Sequence, residues 1–140
     1  MIVRGNLILL TFAALAACND DGAEWPYVVD DRSGVAIVTE TPEGEQRLRN
    51  ATTDYGVFFV EGNCLQVRLE SGVMTPVFPR GSSFDSGAGE VLVGGRRFQL
   101  GQRYSLPFAA EIGTGAGEAA AAIGLPPGCS RRLLAMGSPA

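Results

Sequence analysis

The clearest alternation of apolar and polar positions is Cys64-Leu65-Gln66-Val67-Arg68-Leu69. Leu65, Val67 and Leu69 fall on one face there, Gln66 and Arg68 on the other, which is the period of a half-buried strand. Val57-Phe58-Phe59-Val60, a β-branched and aromatic run, precedes it across the turn residues Glu61-Gly62-Asn63. Val73-Met74-Thr75-Pro76-Val77-Phe78 predicts a third strand, in which Pro76, having no N–H for a ladder, marks an edge or a bulge. Pro79-Arg80-Gly81-Ser82-Ser83 reads as chain leaving the sheet. Glu90-Val91-Leu92-Val93 and Arg96-Arg97-Phe98-Gln99-Leu100 flank Gly94-Gly95, a hairpin signal, and Gln102-Arg103-Tyr104-Ser105-Leu106 alternates again. One segment is helical in character, Glu118-Ala119-Ala120-Ala121-Ala122-Ile123, and it stops at Gly124 and Pro126-Pro127. Arg131 to Met136 supplies a closing strand. The pattern predicts a mainly β chain, a small barrel or sandwich of short antiparallel strands with one short helix before the last strand.

Upstream of this region the pattern divides into three. Residues 1–17 carry one basic side chain, Arg4, then the apolar run from Leu7, then small residues: the anatomy of a secretory signal. The apolar run is short for a bilayer span, which needs about 20 apolar residues. Residues 18–24 are acidic and without apolar periodicity, and read as a solvated tether. Residues 25–54 form an N-terminal arm or hairpin. Trp25 with Tyr27-Val28-Val29 and Val35-Ala36-Ile37-Val38-Thr39 are its strand candidates, separated by the turn-rich Asp30-Asp31-Arg32-Ser33-Gly34. Residues 55–140 make the β domain.

The four residues Leu15-Ala16-Ala17-Cys18 resemble a bacterial lipobox. The resemblance implies lipidation of the Cys18 thiol, cleavage before it and acylation of the new N-terminus. It places the protein in the bacterial cell envelope, the domain in the periplasm or otherwise outside the cytoplasmic membrane. Its first partner would be membrane lipid, held stably because two or more acyl chains at about 0.8 kcal/mol per buried methylene suffice where one does not. A second resemblance covers roughly residues 55–136. Gly62-Asn63-Cys64-Leu65, Pro76 to Ser82, the hairpin to Gly101 and Pro126-Pro127-Gly128-Cys129 are similar to a type of small bacterial envelope domain. That resemblance implies a compact β domain and no activity.

Composition narrows the chemistry. Without residues 1–17 there are ten Arg against fifteen Asp and Glu, a net charge of −5. Such a balance opposes nucleic-acid binding, which needs basic groups to neutralise phosphates. Lysine is absent, and so is histidine, the commonest general base near neutral pH and a common metal ligand. Of the three cysteines, the lipobox resemblance implies that Cys18 carries the lipid, and an exported protein pairs the remaining two, Cys64 and Cys129. Closing that long loop destabilises the unfolded chain by about 4 kcal/mol.

Few other constellations carry chemistry. Ile112-Gly113-Thr114-Gly115-Ala116-Gly117 lacks the final glycine of a nucleotide-binding fingerprint, Glu118 standing in its place, and reads as a connector. Arg96-Arg97 and Arg131-Arg132 offer a basic patch for anionic headgroups or glycan, or salt bridges to Glu90 and Glu111. Phe58 and Phe59 cannot both face one side of a strand, so one is left for the N-terminal arm or a partner. Asn50-Ala51-Thr52 matches a glycosylation sequon by chance in a bacterial protein. The sequence assigns no catalytic, cofactor or metal residues. It predicts a non-enzymatic binding or structural module, with an envelope protein as a further partner. Its alternatives are an inhibitor or accessory subunit of an envelope enzyme complex, and a hydrolase built on two carboxylates about 5–9.5 Å apart.

Overall fold

The computed structural model describes residues 26–41, 52–113 and 115–137. Residues 1–24, which the sequence predicts to be a signal segment and a tether, lie outside these residues with Cys18, as does the sequon asparagine Asn50. The strands are β1 (Tyr27–Asp30), β2 (Ile37–Glu40), β3 (Thr52–Glu61), β4 (Cys64–Leu69), β5 (Gly72–Phe78), β6 (Ser83–Asp85), β7 (Glu90–Val93), β8 (Arg96–Gln99), β9 (Arg103–Ile112) and β10 (Leu133–Met136). The helix α1 (Ala116–Ala122) lies between β9 and β10. The fold is therefore mainly β, with one short helix before the last strand, as the sequence predicts. No helix among the described residues is long and apolar enough to cross a membrane.

Seven strands form one sheet in the order β1-β2-β5-β10-β9-β3-β4, and β4 also pairs with β5. The sheet curls, because β4 meets β3 along one side and the start of β5 along the other. β6, β7 and β8 form a second sheet. Between the two lies the main core, where Phe58, Leu65, Met74, Phe78 and Leu134 meet Val91, Val93 and Phe98 of the smaller sheet. The arrangement is sandwich-like.

The expectation of antiparallel strands holds for most pairings but not for β2–β5 and β5–β10, which are parallel. Parallel neighbours need a long crossover instead of a hairpin, and β6 to α1 supply it between β5 and β10. These central strands are covered on both faces. Ile37, Phe78 and Leu134 enter the main core, whereas Val38, Val77 and Leu133 pack beneath Ala116, Ala119, Ala120 and Leu125. α1 thus acts as a lid of small residues over the far side of the sheet.

Pro76 lies in this central region and not at an edge. The N–H of Thr75 is donated to Arg132 O at 2.8 Å, so the nitrogen of Pro76 faces away from β10. On that side β4 has ended its pairing at Met74, and β2 begins at Val77. Proline occupies the position where no ladder partner exists.

One further element departs from the sequence reading, and another agrees with it. Ser83–Asp85 pairs with β7 as a short strand, where the sequence has only turn signals. Trp25 is outside the described residues, but β1 and β2 do form an antiparallel hairpin, and β2 joins the main sheet through β5. The Gly94-Gly95 connection is the expected tight hairpin, both glycines having positive φ (56° and 79°).

Candidate binding face

Along β3 the side chains alternate between core and surface. Phe58 is fully buried, its ring 5.9 Å from Phe78 and 5.5 Å from Phe98. Tyr55, Val57 and Phe59 therefore point outward, and Tyr55 is 49% exposed. The neighbouring strands set what stands beside them. Val57 is the direct partner of Arg68 on β4 and of Arg103 on β9. Both arginines are exposed, and both lean along β3 in opposite directions. Arg68 lies over the Phe59 ring, 4.6 Å from its centroid, and Arg103 over Tyr55 at 4.4 Å. The result is nearly two-fold symmetric about Val57: guanidinium on ring at each end, a small apolar side chain in the middle.

Among the described residues neither the Arg68 nor the Arg103 side chain is ion-paired or donates a hydrogen bond to protein. The other arginines mostly differ. Arg97 meets Glu90 at 3.3 Å, and Arg132 meets Glu111 at 3.0 Å while donating to Ser71 O at 2.8 Å. The Glu111 hydrogen bond also raises the Arg132 pKa. Arg131 donates to Leu125 O at 3.0 Å. Arg96 rests on Phe98. The two Arg-Arg pairs singled out from the sequence are thus divided between salt bridges, backbone and ring contacts, and the exposed basic face lies elsewhere. Its signal is present in the sequence as Tyr55-x-Val57-x-Phe59, but Arg68 and Arg103 join it only through the register of three strands.

The predicted cysteine pair is formed. Cys64 and Cys129 are bonded with their Cα atoms 5.4 Å apart, both sulfurs within the buried cluster under α1.

A shallow cleft of about 320 Å³ lies apart from this face, lined by Asp30, Arg32, Ser33, Ile37, Ser83 and Phe84. Its carboxylate, Asp30, accepts hydrogen bonds from Arg32 through Nε at 2.9 Å, Nη2 at 2.6 Å and the backbone N–H at 3.1 Å. The side-chain bonds, then the backbone bond, hold its pKa down at about 2. An acid this strong is a poor proton donor near neutral pH. Glycoside hydrolysis also calls for a second carboxylate across the cleft, and among the described residues the lining holds Asp30 alone. No group of three or more His, Cys, Asp or Glu able to hold a metal ion occurs among the described residues.

In comparisons with known proteins, no family model, curated protein or solved structure matches this chain.

Proposed function

We propose that this chain is a lipid-anchored protein of the bacterial cell envelope that works by binding, and that the surface around Val57 is its binding face. The reading of location rests on Leu15-Ala16-Ala17-Cys18 after an apolar segment of signal length. The reading of activity rests on one observation: Arg68 and Arg103 stand exposed on the rings of Phe59 and Tyr55, without a carboxylate partner among the described residues. In a chain of net charge −4, carboxylates are in excess, and unpaired guanidinium groups gathered at one place are an electropositive spot on an acidic surface. Stacking also orders the guanidinium before a partner arrives, so less conformational entropy is lost on binding. An envelope module or an accessory subunit would use the same face. In the cleft by Phe84, Asp30 is ionised and tied to Arg32, and so is a poor proton donor there.

Two measurements test the proposal. Metabolic labelling with a fatty-acid analogue marks the wild-type protein and not Cys18→Ser. A photo-crosslinking residue placed at Ser105, the partner of Tyr55 on β9, gives adducts in living cells. The same residue at Glu118, exposed on α1, gives none. Equal labelling of both proteins would remove the anchor. Equal crosslinking at the two positions would remove the face.

A further inference from the structure

We infer that the face around Val57 takes an extended anionic polysaccharide, its carboxylate or phosphate groups meeting the Arg68 and Arg103 guanidinium groups. This deepens the binding reading above and rests on it. The spacing argues for a polymer. Tyr55 and Phe59 are four residues apart on β3, so the two rings and the guanidinium groups over them are separated by about 13 Å at the rise of a strand. A small anion reaches one of them, whereas a chain with repeated charges reaches both. Each guanidinium keeps its N–H edge free for the two-point hydrogen bonding that carboxylate and phosphate accept.

The strand environment argues against a peptide as the occupant. β3 is paired on one side with β9 and on the other with β4. At Val57 neither edge is free, since the β9 pairing runs from Thr52 to Val57 and the β4 pairing from Val57 to Glu61, so an extended peptide cannot add to the sheet at the centre of the face. A glycan needs none. Its hydroxyls can take up guanidinium N–H groups, and the C–H faces of its rings can lie on Val57 and on the half-exposed ring of Tyr55.

The test uses the full-length protein in detergent micelles and polygalacturonate, which carries a carboxylate on every sugar. Its fully methyl-esterified form is the uncharged control. Binding is measured by calorimetry at low and high salt. The inference expects polygalacturonate to bind, its methyl ester to bind at least about tenfold more weakly, and added salt to weaken the former. Arg68→Gln/Arg103→Gln reduces polygalacturonate affinity by roughly tenfold or more, since each lost charge-assisted contact is worth about that factor. Arg96→Gln/Arg97→Gln leaves it unchanged. A circular dichroism melt confirms that each variant is folded. Should Arg68→Gln/Arg103→Gln fail to fold, Tyr55→Ala replaces it and lowers affinity severalfold. Equal binding of acid and ester, no binding, or unchanged binding by the folded Arg68→Gln/Arg103→Gln or Tyr55→Ala protein overturns the inference. Oligoglutamate and phosphatidylglycerol vesicles are the remaining arms. If either binds more tightly than polygalacturonate and needs Arg68 and Arg103, the ligand class is wrong and the face stands. If no anionic probe depends on the two arginines, the face itself is wrong.

Discussion

The backbone N–H of Ser130 donates to Oε1 of Gln66 at 3.1 Å, one residue beyond the Cys64–Cys129 bridge. The two contacts lie side by side, since Cys64 and Gln66 are successive outward positions of β4. Ser130 is held on every polar atom. Its hydroxyl donates to Val73 O at 2.9 Å, and its carbonyl accepts from the Thr75 hydroxyl at 2.7 Å. The chain leading into β10 is thereby fixed over β4 and β5 by a covalent bond and a small polar network together.

Gln66→Ala should destabilise the protein by about 1–3 kcal/mol, because the Ser130 N–H loses its acceptor at a site where Gln66 is only 4% exposed. Urea denaturation with an unchanged slope would measure it. Gln66→Glu should be no better, since it places a carboxylate in a covered position. A loss below about 0.5 kcal/mol in Gln66→Ala would mean that water replaces the amide without cost.

The disulfide should contribute on a larger scale. Cys64→Ala/Cys129→Ala frees the loop between them and restores about 4 kcal/mol of unfolded-state entropy. For a domain of this size that lowers Tm by on the order of 15 °C. Both cysteines are buried, at 0% and 4% exposure, so reductant should reach the bond only as the cover of α1 opens. Alkylation after reductant should be slow in buffer and fast in urea. Fast labelling of both thiols in buffer, or a melt indifferent to reductant, would contradict the packing described.

These contacts also mark where sequence reading stops. Alternation at 64–69 correctly turns Leu65, Val67 and Leu69 inward and Gln66 and Arg68 outward, but it takes outward to mean exposed. Arg68 is exposed and Gln66 is not, because the Cys129-Ser130 segment lies over one and not the other. Nothing within β4 distinguishes them. The hairpin at Gly94-Gly95 and the cysteine pairing are legible because each rests on local chemistry or on a count. Pro76 misleads for the opposite reason. Proline excludes a ladder donor, and an edge is one way to meet that requirement, but a gap between two neighbouring strands meets it as well. The candidate face is half legible. Its aromatic alternation on β3 is in the sequence, and its arginines arrive from strands whose register only the folded chain sets.

Gly56 shows how tightly β3 is held against that core. A Cβ at this position would lie 2.7 Å from Leu106 Cδ1, 2.8 Å from Val67 Cγ2 and 2.9 Å from Leu69 Cδ2. Gly56→Ala should therefore cost about 1–3 kcal/mol from overpacking. That outweighs the 0.4–1 kcal/mol or so that alanine gains by restricting the unfolded chain. Chemical denaturation would read the difference. A stabilised Gly56→Ala would show that the three side chains have room to turn away. Leu106→Val in the same background relieves one clash and should recover part of the loss, a coupling that a double-mutant cycle measures.

The last prediction concerns acid. Asp30 is held at a pKa of about 2 by the Arg32 side chain first and the Arg32 backbone N–H second, whereas an unfolded aspartate titrates near 3.9. A carboxyl group with a depressed folded pKa stabilises the fold above its unfolded value. That contribution is lost as pH falls through the folded value. The window for this pair is therefore roughly pH 4 down to 2. The carboxyl carbon of Asp30, followed by NMR, should titrate with a midpoint of about 2. In Arg32→Ala the midpoint should climb back toward the ordinary carboxylate range. It should stop short of it, because the backbone N–H of residue 32 still donates to Oδ1. Asp30→Asn should be slightly less stable than wild type at neutral pH, and the gap should narrow as pH falls from about 4 through about 2. The difference is small because Arg32 is solvent-exposed and water screens the pair. A wild-type midpoint near 4, or a stability gap that does not narrow between pH 4 and pH 2, would show that the pair does not persist in solution.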